Sequence, residues 1–427
     1  MDDKELSISS KWRWNFEGNE EAKKASACTI RSYLNTLNEN INKNDTTTTK
    51  RSVIPLSHGD PSGFPSFRTS KVSEDALLDA IQSAKCNGYP QNVDFLQASR
   101  SIAEYLSRDY PYELLPHDVH VTNGAKHAID VLITALAVPG ANILLPRPGY
   151  PAYEALATFT RLEMRHYDLL PEQDWEVDID GLEALADDRT VAMVVINPGN
   201  PCGNVYKREH LKKIAEAARK LGMLVISDEA YAHLVFGSNP FVPMGVFGEI
   251  APILTIGSIS KRWMVPGWRL GWIVTCDPNG ILQKHGVVES IRNYLNLGVV
   301  PPMLTLGAIT RILVETPEDF YSNTMNLLRK TADICYAGLK EILCFTPYKP
   351  QGSMFLMAKL NMSLLEGISS DMEFCTRIAS EESVVVLPGE ALGFKNWVRV
   401  TFTVEISALE DGLSRIKAFC SRNTKQQ

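Results

Sequence analysis

The sequence has no pair of cysteines at the Cys-x-x-Cys spacing; its eight cysteines, at positions 28, 86, 202, 276, 335, 344, 375 and 420, are scattered along 427 residues. That scatter argues against a structural zinc site and fits free thiols in a reducing compartment. No apolar run is long enough to span a bilayer, and residues 1–6 are acidic without a secretory apolar core. Positive charge is also short: 43 Lys and Arg stand against 50 Asp and Glu, a net charge of -7. No basic field is left for a nucleic-acid backbone or an anionic membrane surface. Gly-x-Gly-x-x-Gly and Walker-type loops are missing, which disfavours a simple nucleotide-binding domain. No internal repeat or heptad pattern is present. The expectation is a soluble, cytoplasmic protein whose partners are small molecules, not nucleic acid or membrane.

Apolar residues make up 44% of the chain, and 427 residues are too many for one compact core. Residues 1–24 are polar except for Trp12, Trp14 and Phe16, and read as an arm. A helix is expected over 25–37, an Asn/Thr-rich linker over 38–50, and a short strand over 52–57 that leads into His58-Gly59-Asp60-Pro61. Between about 75 and 275, apolar runs alternate with helical periods. Strands are expected at 143–145, 191–196, 223–226, 253–256 and 270–274, with helices at 124–138 and 210–221. Such alternation predicts a largely parallel sheet covered on both faces. Beyond 300 the pattern becomes more helical, with short strands at 353–357, 384–387 and 397–401. Ser407 and Glu410 read as a capping box for a last helix through Phe419.

The segment from Ser258 to Arg269 carries the chemistry. Lys261 lies between two apolar strands, and a lysine facing a cleft there loses proton affinity and becomes a nucleophilic amine. Ser258 supplies a hydroxyl three residues earlier. Arg269 supplies a permanent charge suited to phosphate. An amine for an aldehyde, with a hydroxyl and a guanidinium for a phosphate, is what pyridoxal phosphate requires. On its own a Lys-Arg pair in a turn is more often plain surface.

Other strand ends add the missing parts, since ligands of parallel sheets bind at the carboxyl ends of strands. The strand at 191–196 ends in Asn197 and Asn200; the strand at 223–226 ends in Asp228, with Tyr231 three residues on. Asp228 can hold a proton on a pyridine nitrogen, and Asn200 and Tyr231 can donate to a phenolic oxygen. Gly124, Ala125 and Lys126 open a helix whose free amides can hold phosphate. Tyr150, just past a strand end, can stack on a ring, although alone it reads as a core aromatic.

Together these segments resemble the fold-type I pyridoxal phosphate enzymes of the class I/II aminotransferase family. The similarity is greatest to the plant tyrosine/nicotianamine aminotransferase group. It is carried by His58 to Pro61, Ile143 to Gly149, Asp168 to Glu172, Asn197 to Val205, Asp228 to Tyr231, Arg262 to Trp268 and the Trp12–Phe16 opening. The resemblance implies an α/β fold: a large domain with a mostly parallel mixed sheet flanked by helices, and a smaller α+β domain. It implies a division into an arm (1–24), an N-terminal part of the small domain (25–75), a large cofactor domain (76–305) and the rest of the small domain (306–427). It implies that Lys261 links to the cofactor aldehyde and then shuttles a proton, and that Asp228 pairs the ring nitrogen. Asn200 and Tyr231 would reach the phenolic oxygen, and Tyr150 the ring face. Gly124, Ala125, Lys126, Ser258 and Arg269 would hold the phosphate. Gly59, Asn200 and Arg399 would take the substrate, Arg399 by its α-carboxylate. Tyr89 would reach the phosphate of a neighbouring subunit, so a homodimer is implied.

Two departures stand out. Lys126 and His127 occupy the phosphate turn where the group has other residues, and Asp94 with Phe95 replaces small residues near the substrate entrance. The activity implied is transfer of an α-amino group, from an aromatic, tyrosine-like amino acid, to a 2-oxo acid. The alternative is a C–S lyase acting on cysteine S-conjugates, since plant relatives use the same scaffold for β-elimination. A third reading is a non-catalytic ligand-binding relative, disfavoured by the presence of Lys261, Asp228 and Arg399.

Overall fold

The structure is a computed structural model that describes residues 15–41 and 51–425. Trp12, Trp14 and residues 42–50 of the expected linker lie outside them. The segment expected as one helix forms two, Glu20–Ala27 and Ile30–Asn38. Thr29 makes the break: its backbone is extended and its hydroxyl accepts the Ser32 amide as an N-cap.

The strands are β1 (Ile54–Pro55), β2 (Val119–Thr122), β3 (Asn142–Arg147), β4 (Glu163–Leu170), β5 (Glu176–Val177), β6 (Thr190–Ile196), β7 (Leu224–Asp228), β8 (Ile253–Ser258) and β9 (Gly271–Cys276). They continue with β10 (Phe345–Pro347), β11 (Phe355–Leu360), β12 (Val384–Val385), β13 (Leu387–Pro388) and β14 (Trp397–Thr401). β2 to β9 form one sheet in the order β2-β9-β8-β7-β6-β3-β4-β5. From β4 through β8 the neighbours are parallel, whereas β9, β2 and β5 join antiparallel. The central strands are buried on both faces, which is why they read as unbroken apolar runs. One face packs on helices Ala125–Leu136, Pro151–Thr160 and Val287–Leu297. The other packs on Asn92–Ser107, Arg208–Leu221 and Met303–Glu315.

β10, β11, β14 and β13 form a second, antiparallel sheet, and β1 pairs in parallel with β12. The core under it runs from Leu37, Ile54 and Leu56 to Phe419. N-terminal and C-terminal segments therefore share one hydrophobic cluster. The boundaries expected at 75/76 and 305/306 fall inside helices Lys71–Gln82 and Met303–Glu315, which pack on each other in the first core. We propose to draw them near 70 and 317 instead.

The capping box expected at Ser407 and Glu410 does not form. The last helix, Ile406–Arg422, starts two residues earlier, with Glu405 as its N-cap and no side-chain cap bond. The Glu405 carboxylate instead accepts the Ser66 amide and hydroxyl, at 3.0 and 2.6 Å, tying the helix start to the N-terminal segment. Among the described residues no helix is long and apolar enough to cross a membrane.

One close approach fixes the site end of the large sheet. A Cβ on Gly271, the first residue of β9, would stand 2.7 Å from the Gly124 carbonyl carbon, 2.8 Å from the Ala125 nitrogen and 2.8 Å from the Gly257 oxygen. All three are backbone atoms that cannot step aside. Gly271→Ala is expected to destabilise the protein by about 1–3 kcal/mol. A denaturant melt checks this; an unchanged midpoint would contradict the packing described.

Candidate active site

β6, β7 and β8 are adjacent parallel strands, so their carboxyl ends open onto one place. Asn197 and Asn200 follow β6, Asp228 closes β7, and Ser258 closes β8. Lys261 follows in a short helix, Ile259–Arg262, instead of the expected turn. It projects into a cleft between the two sheets, opposite the segment 57–60.

The Lys261 ammonium donates to the Gly59 carbonyl. Burial pushes its pKa down to about 8; Asp60 opposes that shift, while the charges of Arg399 and Arg269 add to it. Arg399, on β14, is 2% exposed. Its Nη1 donates to Asn200 Oδ1 at 2.9 Å and its Nη2 to the Ser57 carbonyl at 2.7 Å. The guanidinium lies 4.1 Å from the centre of the Phe355 ring, and burial lowers its pKa to about 10. Its Nε is buried with no acceptor. A buried guanidinium with an unused N–H edge has the donor geometry for a carboxylate. Gly59 lets this segment close down, because a Cβ there would stand 2.7 Å from Phe355 Cζ.

Asp228 is buried at the floor. Its Oδ2 accepts the Tyr153 hydroxyl at 3.1 Å and its Oδ1 accepts the Ala230 amide at 3.1 Å. Burial raises its pKa to about 6 against those two hydrogen bonds. A desolvated carboxylate of this kind gains by pairing with a cationic N–H. Tyr231 is buried edge-on to Phe355 at 5.5 Å, with the Lys261 nitrogen 5.9 Å from its ring centre. Tyr150 precedes the helix Pro151–Thr160 and packs edge-on to Tyr153 at 6.5 Å.

At the far end, Gly124 (φ 78°) opens the helix Ala125–Leu136. Its missing Cβ makes room for Arg269, whose Nη2 would lie 2.4 Å from one. Arg269 donates from Nη2 to the Asn123 carbonyl at 2.9 Å and from Nη1 to the Pro266 carbonyl at 2.8 Å. Ser258 sits opposite Gly271 in the β8–β9 ladder, and Gly271 touches Gly124. A hydroxyl, a guanidinium and the first-turn amides of a helix thus share one corner, a donor set for a phosphate.

Both departures in the sequence have local explanations. Lys126 is exposed, and the His127 Nδ1 accepts the Asn123 amide at 3.0 Å, closing the turn at Gly124 on itself. The Asp94 carboxylate accepts the Gln91 amide at 2.7 Å at the start of helix Asn92–Ser107, and Phe95 packs on the first core. Tyr89 stays outside this cleft, 89% exposed. The residues that sequence reasoning missed are Tyr153, Phe355 and the Ser57 carbonyl. Tyr153 and Phe355 look like ordinary core aromatics in sequence, and a backbone carbonyl carries no residue signal.

Comparison with known proteins matches residues 51–416 to the family model for aminotransferases of class I and II. The chain belongs to the class I and II aminotransferases. It is 57% identical, over 88% of its length and 76% of the relative's, to nicotianamine aminotransferase 1 of Oryza sativa subsp. japonica. It is 46% identical, over 97% of its length and 89% of the relative's, to an S-alkyl-thiohydroximate lyase of Arabidopsis thaliana. Its fold is similar to the tyrosine aminotransferase of Leishmania infantum, with a TM-score of 0.86, 30% identity, and coverage of 97% of this chain and all of that one. As an aminotransferase of this family the protein is an α/β enzyme that depends on pyridoxal 5'-phosphate. The cleft fits that cofactor: amine, buried carboxylate and phosphate corner all open onto it, and the Arg399 Nε lacks an acceptor.

The lowered proton affinity of Lys261 gives a pH dependence. Only the neutral amine can add to an aldehyde, so attachment of pyridoxal phosphate to the apoprotein should speed up as pH rises, with a midpoint near 8 and not near 10.5. The buried ammonium also weakens the apo fold below pH 8, a penalty that fades as pH rises towards 10.5. Lys261→Met should therefore raise the apoprotein's melting temperature at pH 7 and leave it unchanged above pH 10.5. Stopped-flow absorbance and thermal melts check the two halves; a flat attachment profile would contradict the first.

Proposed function

We propose that this aminotransferase takes an aromatic, tyrosine-like amino acid as donor and a 2-oxo acid as acceptor, as a cytoplasmic homodimer. One observation carries the assignment of roles. Lys261 and Arg399 are held by carbonyls two residues apart, those of Gly59 and Ser57. Amine and guanidinium therefore stand at the two ends of one short strap, an amine for the aldehyde and a guanidinium for a carboxylate on the same side of the cleft.

Pyridoxal phosphate, when bound, supplies an aldehyde and an electron sink for charge developing at the substrate Cα. Lys261 would attach to that aldehyde and, once released, take the Cα proton as a base with a pKa near 8. Asp228 would hold a proton on the ring nitrogen; the Tyr153 hydroxyl keeps its carboxylate in place. Asn200 and Tyr231 would donate to the phenolic oxygen, and Tyr150 would cover the ring face. Ser258, Arg269 and the amides of Gly124, Ala125 and Lys126 would hold the phosphate. Arg399 would orient the α-carboxylate, with Gly59 and Asn200 at its sides. Tyr89 and Val93, 89% and 66% exposed on one surface segment, support a subunit contact in which Tyr89 serves the neighbouring site. Eight free cysteines, six of them buried, suit a reducing compartment.

The second reading, β-elimination from cysteine S-conjugates, is favoured by the similarity to a C–S lyase. Both reactions begin with loss of the Cα proton, so the same residues serve either. Incubation with tyrosine and 2-oxoglutarate should yield glutamate, whereas a cysteine S-conjugate should yield little pyruvate or thiol; the reverse outcome would select the lyase.

Lys261→Ala should abolish turnover and keep the fold. Arg399→Ala should raise the donor KM by roughly 10- to 100-fold, since hydrogen bonds to a charged group contribute about 1.5–3 kcal/mol. Near-normal turnover in the first variant, or an unchanged KM in the second, would contradict these roles.

A further inference from the structure

The roles assigned to the cleft use Lys261 and leave its neighbour Arg262 without one. Both residues sit in the four-residue helix Ile259–Arg262, which follows directly on β8. A helix of one turn has little rigidity of its own. Two features work against this one. Ser258, Arg262 and Trp263 line a cavity of about 30 Å³, together with Glu229, His233 and Thr255, so packing is missing on that side. Met264 (φ 57°) and Arg269 (φ 53°), just beyond the helix, hold left-handed backbone that residues other than glycine adopt only at a cost. A strained turn beside a void needs something to hold it.

Arg262 is placed to do so. Its Nη1 donates to the hydroxyl of Tyr105, on helix Asn92–Ser107. Its guanidinium carbon lies 4.4 Å from the ring centre of Tyr321, on helix Glu318–Lys340, 5.6 Å from that of Tyr105 and 5.8 Å from that of Trp263. The rings also pack on one another, Trp263 against Tyr105 at 5.6 Å and against Tyr321 at 5.9 Å. The Trp263 Nε1 donates to Thr316 Oγ1 at 3.1 Å. Among the described residues no carboxylate pairs with Arg262. The Asp109 carboxylate, just past the helix that carries Tyr105, goes to His233 at 2.8 Å. The cation is therefore held by one hydroxyl and by the electron-rich faces of aromatic rings.

We propose that Arg262 is a positioning residue for Lys261. Clasped by Tyr105, Trp263 and Tyr321, it fixes the end of the one-turn helix, and with it the backbone from which the Lys261 stem swings between cofactor and substrate Cα. That stem is flexible, so the amine returns to one place only if its base is held. Arg262 touches no substrate; its effect on the reaction passes through Lys261. The charge matters as well as the stem, because an uncharged side chain of the same length gives the rings nothing to clasp. This assignment rests on the reading of Lys261 as the proton-carrying base, and its test includes a measurement that needs no turnover.

The experiment uses the holoenzyme with Arg262→Met, Arg262→Lys, Tyr321→Leu and Tyr321→Phe. With tyrosine as donor, Arg262→Met should lower kcat roughly 10-fold or more and leave KM within about twofold, since a misplaced base slows proton transfer without weakening binding. The isotope effect of α-deuterated tyrosine on kcat should be larger than in the wild type. Arg262→Lys keeps the cation and Tyr321→Phe keeps the ring, so both should stay within about threefold of wild type. Tyr321→Leu should reproduce the loss, and it decides the matter if Arg262→Met does not fold. Arg262→Met combined with Tyr321→Leu should be no worse than either alone. Amide hydrogen exchange over residues 259–265 should quicken in Arg262→Met and Tyr321→Leu. An unchanged kcat, a fall in kcat without a larger isotope effect, or losses that add in the double variant would overturn the proposal. Quickened exchange in a protein whose reductively trapped cofactor sits on another lysine would instead refute the reading of Lys261 and leave the clasp standing.

Discussion

Two cations, Lys261 and Arg399, share one desolvated cleft, and neither is neutralised there by a carboxylate. Each is held by a neutral backbone carbonyl, from Gly59 and Ser57. Much of the site's chemistry follows from that constraint. Burial disfavours both charges, and the one able to shed its proton does so more readily: the Lys261 pKa falls to about 8, against the pull of Asp60 and with a smaller push from Arg399. Arg399, lowered only to about 10, keeps its charge. The same shortage of anions makes the cleft attractive to a carboxylate and a phosphate at once.

The fold delivers this arrangement by bringing together distant segments of the chain. Parallel strands β6, β7 and β8 bring Asn200, Asp228 and Lys261 to one edge, and β14 of the second sheet brings Arg399 against them. The strap at 57–60 closes the gap. It can do so because Gly59 has no side chain to meet Phe355, as Gly271 and Gly124 have none to keep β9 and Arg269 from the phosphate corner. Gly271 is required by the approach of backbone atoms, Gly59 and Gly124 by the approach of a side chain.

Most of the large sheet could be read directly from the sequence, as could the polar residues at the ends of its strands. Doubly buried strands leave unbroken apolar runs, and the chemistry sits where those runs stop: Asn197, Asp228 and Ser258 all mark strand ends. The second sheet was less legible. β12 and β13 are two residues each, and their pairing is set by β1 and β14, far away in sequence. The helix break at Cys28-Thr29 depends on one hydrogen bond and the displaced cap at Glu405 on two from Ser66, partners that no period reveals. Asp94 looked like a substrate-facing carboxylate, and the structure gives that carboxylate to the Gln91 amide.

The central claim is a covalent bond at one side chain, and borohydride reduction followed by peptide mass spectrometry tests it most directly. Protein reconstituted with pyridoxal phosphate and reduced should yield a peptide that carries the phosphopyridoxyl mass on Lys261. Recovery of that peptide unmodified, with the mass absent or on another lysine, would contradict the account.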